Sequence, residues 1–173
     1  MMKLSLDAID SPLGPVAFAS GDDGLVALDF STAEALKARV LARRPGASFT
    51  PGGADIARRL RAYFAGRPRA LDELEVAPGG SPFQQRVWRE LRRIPPGRTL
   101  SYSALAAAIG HPTAVRAVGA ANGANPVPLV VPCHRVISAT GGLGGYACGL
   151  DRKAWLLRHE GASGQGELSL LAG

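Results

Sequence analysis

The chain has little of what builds a disulfide-stapled or metal-held protein. Its 173 residues include only two cysteines, Cys133 and Cys148, and three histidines, His111, His134 and His159. Two thiols make no disulfide framework, and no C-x-x-C or H-x-x-x-H spacing offers a structural zinc site. No run of about 18 apolar residues exists to span a bilayer. The first residues carry one lysine followed by Asp7 and Asp10, without the apolar stretch of a secretory leader. The expectation is a soluble, cytoplasmic protein that needs no metal, cofactor or obligate protein partner. Acidic residues are scarce as well, but in one half only. Residues 1–76 hold ten bases and ten acids, whereas 77–173 hold ten bases and four acids, Glu90, Asp151, Glu160 and Glu167. The whole net charge of +6 therefore sits in the second half. A nucleic-acid module beside a neutral companion has that asymmetry.

With 46% apolar residues the chain can bury a core, which excludes wholesale disorder. The first thirty residues read as a meander: strands over Lys3–Ile9, Pro15–Ser20 and Leu25–Phe30, separated by turns at 11–14 and 21–24. Helices are expected over Thr32–Arg44 and Ala54–Ala65, and one more strand over Leu71–Val76. Nothing in this half gathers histidine, cysteine or carboxylates, so it reads as a scaffold. The Pro78-Gly79-Gly80 stretch marks a boundary between a 1–77 domain and a 78–162 domain, with a tail over 163–173.

The second half opens on a capping box. Ser81 stands at the N-cap, Pro82 at N1 and Gln84 at N3. Phe83, Val87, Trp88, Leu91 and Ile94 recur at helical spacing as a core stripe, and Arg86, Arg89 and Arg93 fall on another, solvated face. A helix-turn-helix pattern follows. Ser101 or Tyr102 opens a short helix through Ile109, His111-Pro112 turns the chain, and Thr113 is expected to cap a second helix over Ala114–Asn122. That second helix is built of Ala114, Ala117, Gly119, Ala120 and Ala121. Glycine within a helix costs about 1 kcal/mol relative to alanine, so either another helix or a nucleic-acid backbone must approach closely.

The segment from Asn125 to Ile137 concentrates the chemistry. Its three prolines exclude a helix, and an extended apolar arm is expected to deliver Cys133 and His134 to one place. Cysteine attacks as thiolate, and the adjoining His134 and Arg135 are positioned to lower its pKa. Neighbours on an extended segment point to opposite sides, so a bend or a bridging water must join the sulfur to the imidazole. Glu160 is the candidate to orient His134. It ends the expected helix Arg152–Glu160, where a carboxylate opposes the helix dipole and so needs a compensating role. The glycine-rich stretch 141–149 either brings bare backbone to a planar ligand or forms a flexible hairpin, and composition does not decide between them. Cys148, with no basic neighbour, reads as a bystander.

These residues resemble the O6-alkylguanine-DNA alkyltransferase family. The likeness rests on Ser81–Trp88, on Ile94–Tyr102, on Arg116-Ala117-Val118-Gly119 and on Asn125-Pro126. It continues through Pro132-Cys133-His134-Arg135-Val136, Gly145-Tyr146 and Lys153–Gly161, so it covers 81–161 in order. The resemblance implies an α+β chain: a small RNase H-like α/β domain, lacking that enzyme's carboxylates, then a mostly helical winged helix-turn-helix domain. It also implies a suicide reaction on duplex DNA. A guanine is flipped out through the minor groove, and Cys133 takes the alkyl group from its O6, with O4 of thymine a possible second substrate. His134 activates the thiol through a water, and Glu160 polarises His134. Asn125 orders the turn before the active-site arm, and Tyr102 donates to guanine N3. Val136, Tyr146, Ala147 and Lys153 surround the base. Arg116 fills the vacated stack, while Ser101, Thr113, Ala117, Gly119 and Ala120 contact DNA. Ala147 stands where some relatives carry a serine, and the N-terminal zinc cysteines of certain members are absent.

Two rival classes make different demands. An alkyltransferase-like lesion binder holds alkylguanine without repairing it and lacks the acceptor cysteine. A helix-turn-helix regulator needs base-reading polar side chains on its second helix, and Ala114–Asn122 has almost none. A thiol hydrolase fits the flanking residues poorly.

Overall fold

The computed structural model describes residues 1–162, and the tail expected over 163–173 lies outside them. The chain divides into two compact units between Gly79 and Gly80. In the first, β1 (Lys3–Ile9), β2 (Val16–Gly21) and β3 (Gly24–Asp29) form the expected meander. Helix α1 (Ala33–Arg43) follows, with Thr32 at its N-cap accepting from the Ala35 amide at 3.2 Å. The chain then returns as a short strand, β4 (Ser48–Pro51), and enters α2 (Ala54–Phe64). The sheet order is β3-β2-β1-β4, antiparallel except for the parallel β1–β4 pair. Alternation splits β2 between two faces. Ala17 and Ala19 join Leu4, Val26, Leu36 and Val40 in a core under α1, and Phe18 sits beneath Gly53 at the start of α2.

Two expectations fail here. Strand β4 is squeezed between Pro45-Gly46 and Gly52-Gly53, turn residues that mask a four-residue edge strand; its proline is tolerated because it sits at the strand's end. The strand expected over Leu71–Val76 does not form. Pro68–Leu71 is a 3-10 turn, and Val76 alone bridges to Leu25. Leu71 and Leu74, three apart, are both buried, a spacing that suits a turn of helix and not an alternating strand.

The second unit begins with α3 (Pro82–Leu91), closed by the reciprocal capping box of Ser81 and Gln84, with Val87, Trp88 and Leu91 buried. Two residues of strand, β5 (Leu100–Ser101), pair in parallel with β6 (Val136–Ile137). Between them lie α4 (Tyr102–Ala108) and α5 (Val115–Gly123), and α6 (Leu150–His159) follows. Trp88 Nε1 donates to the Ala121 carbonyl at 2.8 Å, a buried bond that ties α3 to α5. The Thr113 cap is a correction. Ala114 occupies the N-cap without a side-chain bond, because its amide closes a turn onto the His111 carbonyl at 2.9 Å and leaves Thr113 exposed.

Candidate active site

Cys133 does not sit on an extended arm. The arm ends in a bend: buried Leu129 has φ +77°, the Cys133 amide folds back on the Val131 carbonyl at 2.8 Å, and Cys133–Arg135 form a 3-10 turn. Successive side chains of such a turn fan apart by about 120°, which replaces the two-sided alternation of a strand. Asn125 builds the bend as expected, donating to the Val131 carbonyl at 2.8 Å and accepting from the Val127 amide at 2.9 Å.

The turn converges on Glu160. That residue caps the C-terminus of α6, buried at 7% exposure. Its Oε2 lies 2.9 Å from His134 Nε2, and Arg135 grips both carboxylate oxygens, Nε to Oε1 at 2.8 Å and Nη2 to Oε2 at 2.9 Å. Arg135 also donates to the Ile94 carbonyl at 2.7 Å. Burial drives the His134 pKa down despite Glu160, so the ring is neutral at pH 7. Burial by itself would raise the Glu160 carboxyl, but its His134 and Arg135 partners outweigh burial and hold it well below the usual carboxylate range. With the imidazole neutral, the balancing charge is Arg135. A neutral imidazole carries one hydrogen, and an ionised carboxylate only accepts. Nε2 therefore holds the hydrogen, and Nδ1, buried without a protein partner, presents its lone pair.

This charge distribution corrects the expectation for the thiol. Burial pushes Cys133 up to about 12, outweighing a side-chain bond from Asn125 and the field of Lys153. Arg135 is directed at Glu160, and its charge does not ionise the sulfur. At rest Cys133 is a thiol, and it needs a base to act as a nucleophile.

The remaining side chains take several places. Tyr102, half-buried, donates to the Gly145 carbonyl at 3.4 Å, and burial raises its pKa, so the phenol keeps its proton. Tyr146 stands edge-on to His134, with ring centroids 6.3 Å apart. Buried Val136 follows Arg135 directly, and Ala147 is exposed. Lys153 differs from its expected place among base contacts. Its ammonium is buried and donates to the carbonyls of Val136, Leu143 and Gly145, tying the glycine-rich loop to β6. Burial lowers its pKa to about 8. Gly144 has φ +70°, and a Cβ there would lie 2.8 Å from the Tyr102 ring. Ser101 caps α4 through the Ala104 amide at 3.0 Å. Arg116, Ala117 and Ala120 are exposed on α5, while Gly119 is half-buried against Tyr102. Sequence reasoning missed two residues. Sequence adjacency presents Arg135 only as a charge beside the thiol. Asn122, 5% exposed, donates to the Cys133 carbonyl at 3.3 Å and leaves its own Oδ1 without a partner. A polar residue in an otherwise alanine-rich helix was the available signal. Among the described residues no group of three or more His, Cys, Asp or Glu is placed to hold a metal, and no helix is long and apolar enough to cross a membrane.

Comparison with known proteins bears on this geometry. Residues 82–162 match the 6-O-methylguanine DNA methyltransferase DNA-binding domain, and residues 6–78 match the ribonuclease-like domain of the same family. A methylated-DNA–protein-cysteine methyltransferase of Shigella flexneri is 44% identical over 169 residues, 93% of this chain and 98% of that protein. One from Salmonella typhimurium is 59% identical over 111 residues, and the match spans 64% of either chain. The crystal structure of Mycobacterium tuberculosis O6-methylguanine methyltransferase superposes with TM-score 0.75 at 40% identity, covering 98% of this chain and 99% of that one. A further structure shows Mycobacterium tuberculosis OGT in complex with DNA, at 38% identity and TM-score 0.75, over 94% of this chain and 98% of that one. The chain belongs to the 6-O-methylguanine DNA methyltransferase family, with that family's ribonuclease-like and DNA-binding parts in order.

Proposed function

We propose that this protein reverses alkylation damage directly, moving one alkyl group from O6 of guanine in duplex DNA onto Cys133 and remaining alkylated. The observation that carries the reading is the buried Cys133 beside a neutral His134 whose Nε2 is fixed by Glu160 and whose Nδ1 faces no protein partner. The Cys133 proton passes through one water to Nδ1. The sulfur attacks the alkyl carbon, the Sγ–C bond forms, and the C–O6 bond breaks with its electron pair retained by the purine. The phenol of Tyr102 supplies a proton at N3 of the leaving guanine. His134 returns its own proton to Tyr102, so charge is conserved. Glu160 stabilises the imidazolium while it lasts, and Arg135 holds the Glu160 carboxylate in place against it.

The base must leave the stack for its O6 to reach a buried thiol, which costs a few kcal/mol, less for a weakened pair. The small exposed residues Ala117 and Ala120, with Gly119, suit α5 to the minor groove, and Arg116 fills the vacated stack. Ser101 and Thr113 flank that helix for phosphate contact. The backbone of Cys133 and Val136, with Tyr146 and the Ala147 amide, encloses the flipped base. Residues 1–77 serve as scaffold and 78–162 carry the chemistry. A lesion binder without transfer is disfavoured by the presence of Cys133.

Incubation with a duplex bearing O6-methylguanine should add one methyl group to the intact protein mass, and Cys133→Ser should abolish the gain. A substoichiometric amount of protein that keeps demethylating DNA would overturn the suicide reading. Arg116→Ala should weaken duplex binding while sparing reaction with free O6-benzylguanine; equal loss of both would make Arg116 a structural residue.

A further inference from the structure

The repair reading gives Arg116 a task and leaves the arginine face of α3 without one. Arg86, Arg89 and Arg93 are all exposed, away from buried Val87, Trp88 and Leu91. Arg86 Nη1 donates to His111 Nε2 at 2.9 Å, and the His111 ring meets Phe83 edge-on, with centroids 6.0 Å apart. His111 opens the turn that leads into α5, so this bond joins the start of the arginine face to the helix-turn-helix. The buried Trp88–Ala121 bond holds α3 to α5. The face is thus fixed with respect to the DNA-binding helix pair and does not hang on a loop.

Its charge is also unanswered. Among the described residues neither Arg86 nor Arg89 meets a carboxylate, and Arg93 has only Glu90, 3.7 Å away. In the first unit Arg39, Arg58, Arg59 and Arg69 each face an aspartate, whereas exposed Arg43, Arg61 and Arg67 meet no carboxylate among the described residues and serve as the comparison. At 1.5 Å rise per residue Arg86 and Arg89 stand about 4.5 Å apart along α3, and Arg93 follows two residues past its end, so the three can follow two or three successive phosphates. The guanidinium fork suits phosphate oxygens.

We propose that Arg86, Arg89 and Arg93 form a phosphate-tracking ridge that extends the DNA footprint from the α4–α5 pair along the duplex backbone. The proposal rests on the repair reading above. It contributes affinity and leaves the chemistry of Cys133 untouched. The test compares the wild type with an Arg86→Gln/Arg89→Gln/Arg93→Gln variant and with a control, Arg43→Gln/Arg61→Gln/Arg67→Gln, that removes as much exposed charge from the first unit. Affinity for an undamaged duplex is measured against salt concentration. The α3 variant should make the log–log slope shallower by about 2 to 3, since each phosphate contact contributes roughly 0.9. The control should keep the wild-type slope, and all three proteins should react equally with free O6-benzylguanine. An unchanged slope in the α3 variant overturns the ridge, and so does an equal change in both variants, which would report net charge alone. Altered self-association in sedimentation with an unchanged slope would make the face a contact between copies and also overturn it. A wild type that takes no methyl group from DNA defeats the repair reading itself; a wild type that transfers normally beside an α3 variant with unchanged slope defeats the ridge alone.

Discussion

The two units handle charge in opposite ways. In the first, acids and bases are equal in number and meet at the surface, as in Arg39–Asp29 or Arg69–Asp72. In the second, four acids face ten bases, and one of those acids, Glu160, is buried between His134 and Arg135. Exposed pairs are worth about 0–1 kcal/mol each, whereas breaking a buried pair strands a charge at a cost of about 3–5 kcal/mol. Charge in the first unit is paired largely at the surface. In the second it holds an imidazole in one tautomer.

The largest expected effect breaks that contrast at its centre. Glu160→Gln leaves Arg135 buried without its counter-ion, and equilibrium urea unfolding should show a loss of about 3–5 kcal/mol, while Asp29→Asn should cost less than about 1 kcal/mol. Comparable losses in the two variants would erase the distinction between the units.

Next in size is the response to pH. His134 has a depressed pKa in the folded state, so the unfolded chain binds the extra proton, and stability should fall as pH drops below about 6.5. Glu160, also depressed, stabilises the fold above its ordinary range and should add a second loss below about 4.5. Cys133 titrates the other way. Raised to about 12, it keeps its proton while the unfolded thiol gives one up above about 9; Lys153, lowered to about 8, works in the opposite sense up to its ordinary 10.5, so stability should decline once pH climbs above about 10.5. Cys133→Ala should flatten that alkaline decline and leave the acid limb intact, as followed by thermal melts across pH. An alkaline limb that survives the substitution would refute the assignment to the thiol.

Much of this contrast was legible in the residues. The capping box at Ser81, the pair of short helices α4 and α5 and the compensated carboxylate of Glu160 follow from local spacing, while the turn-building Asn125 comes from the family resemblance; the structure shows the capping box, the two helices, the Asn125 bonds and a buried, paired Glu160. What escaped depends on long-range burial. The direction of the Cys133 shift could not be read from adjacent Arg135, because a neighbour in sequence need not be a neighbour in charge: the guanidinium crosses 25 residues of chain to reach Glu160. Lys153 likewise meets three backbone carbonyls that only the folded loop assembles. Strand β4 was hidden because four residues between turn signals carry too little periodicity.

Two smaller effects sharpen the picture around the turn. Gly144→Ala forces a side chain into a left-handed backbone, at about 1–2 kcal/mol, and crowds Tyr102; transfer from duplex DNA should slow severalfold. Asn122→Leu removes the bond to the Cys133 carbonyl together with an unpartnered oxygen, so stability should change by less than about 1 kcal/mol. Single-turnover transfer at saturating duplex should nonetheless fall, with affinity for undamaged duplex unchanged. A transfer rate equal to wild type would leave Asn122 a packing residue.

The central claim is tested most directly by titrating a fixed amount of protein with duplex carrying isotopically labelled O6-methylguanine and mapping the label by peptide mass. Transfer should stop at one methyl group per protein, all of it on the peptide containing Cys133. Label that continues past that plateau, or that settles on Cys148, would contradict the account.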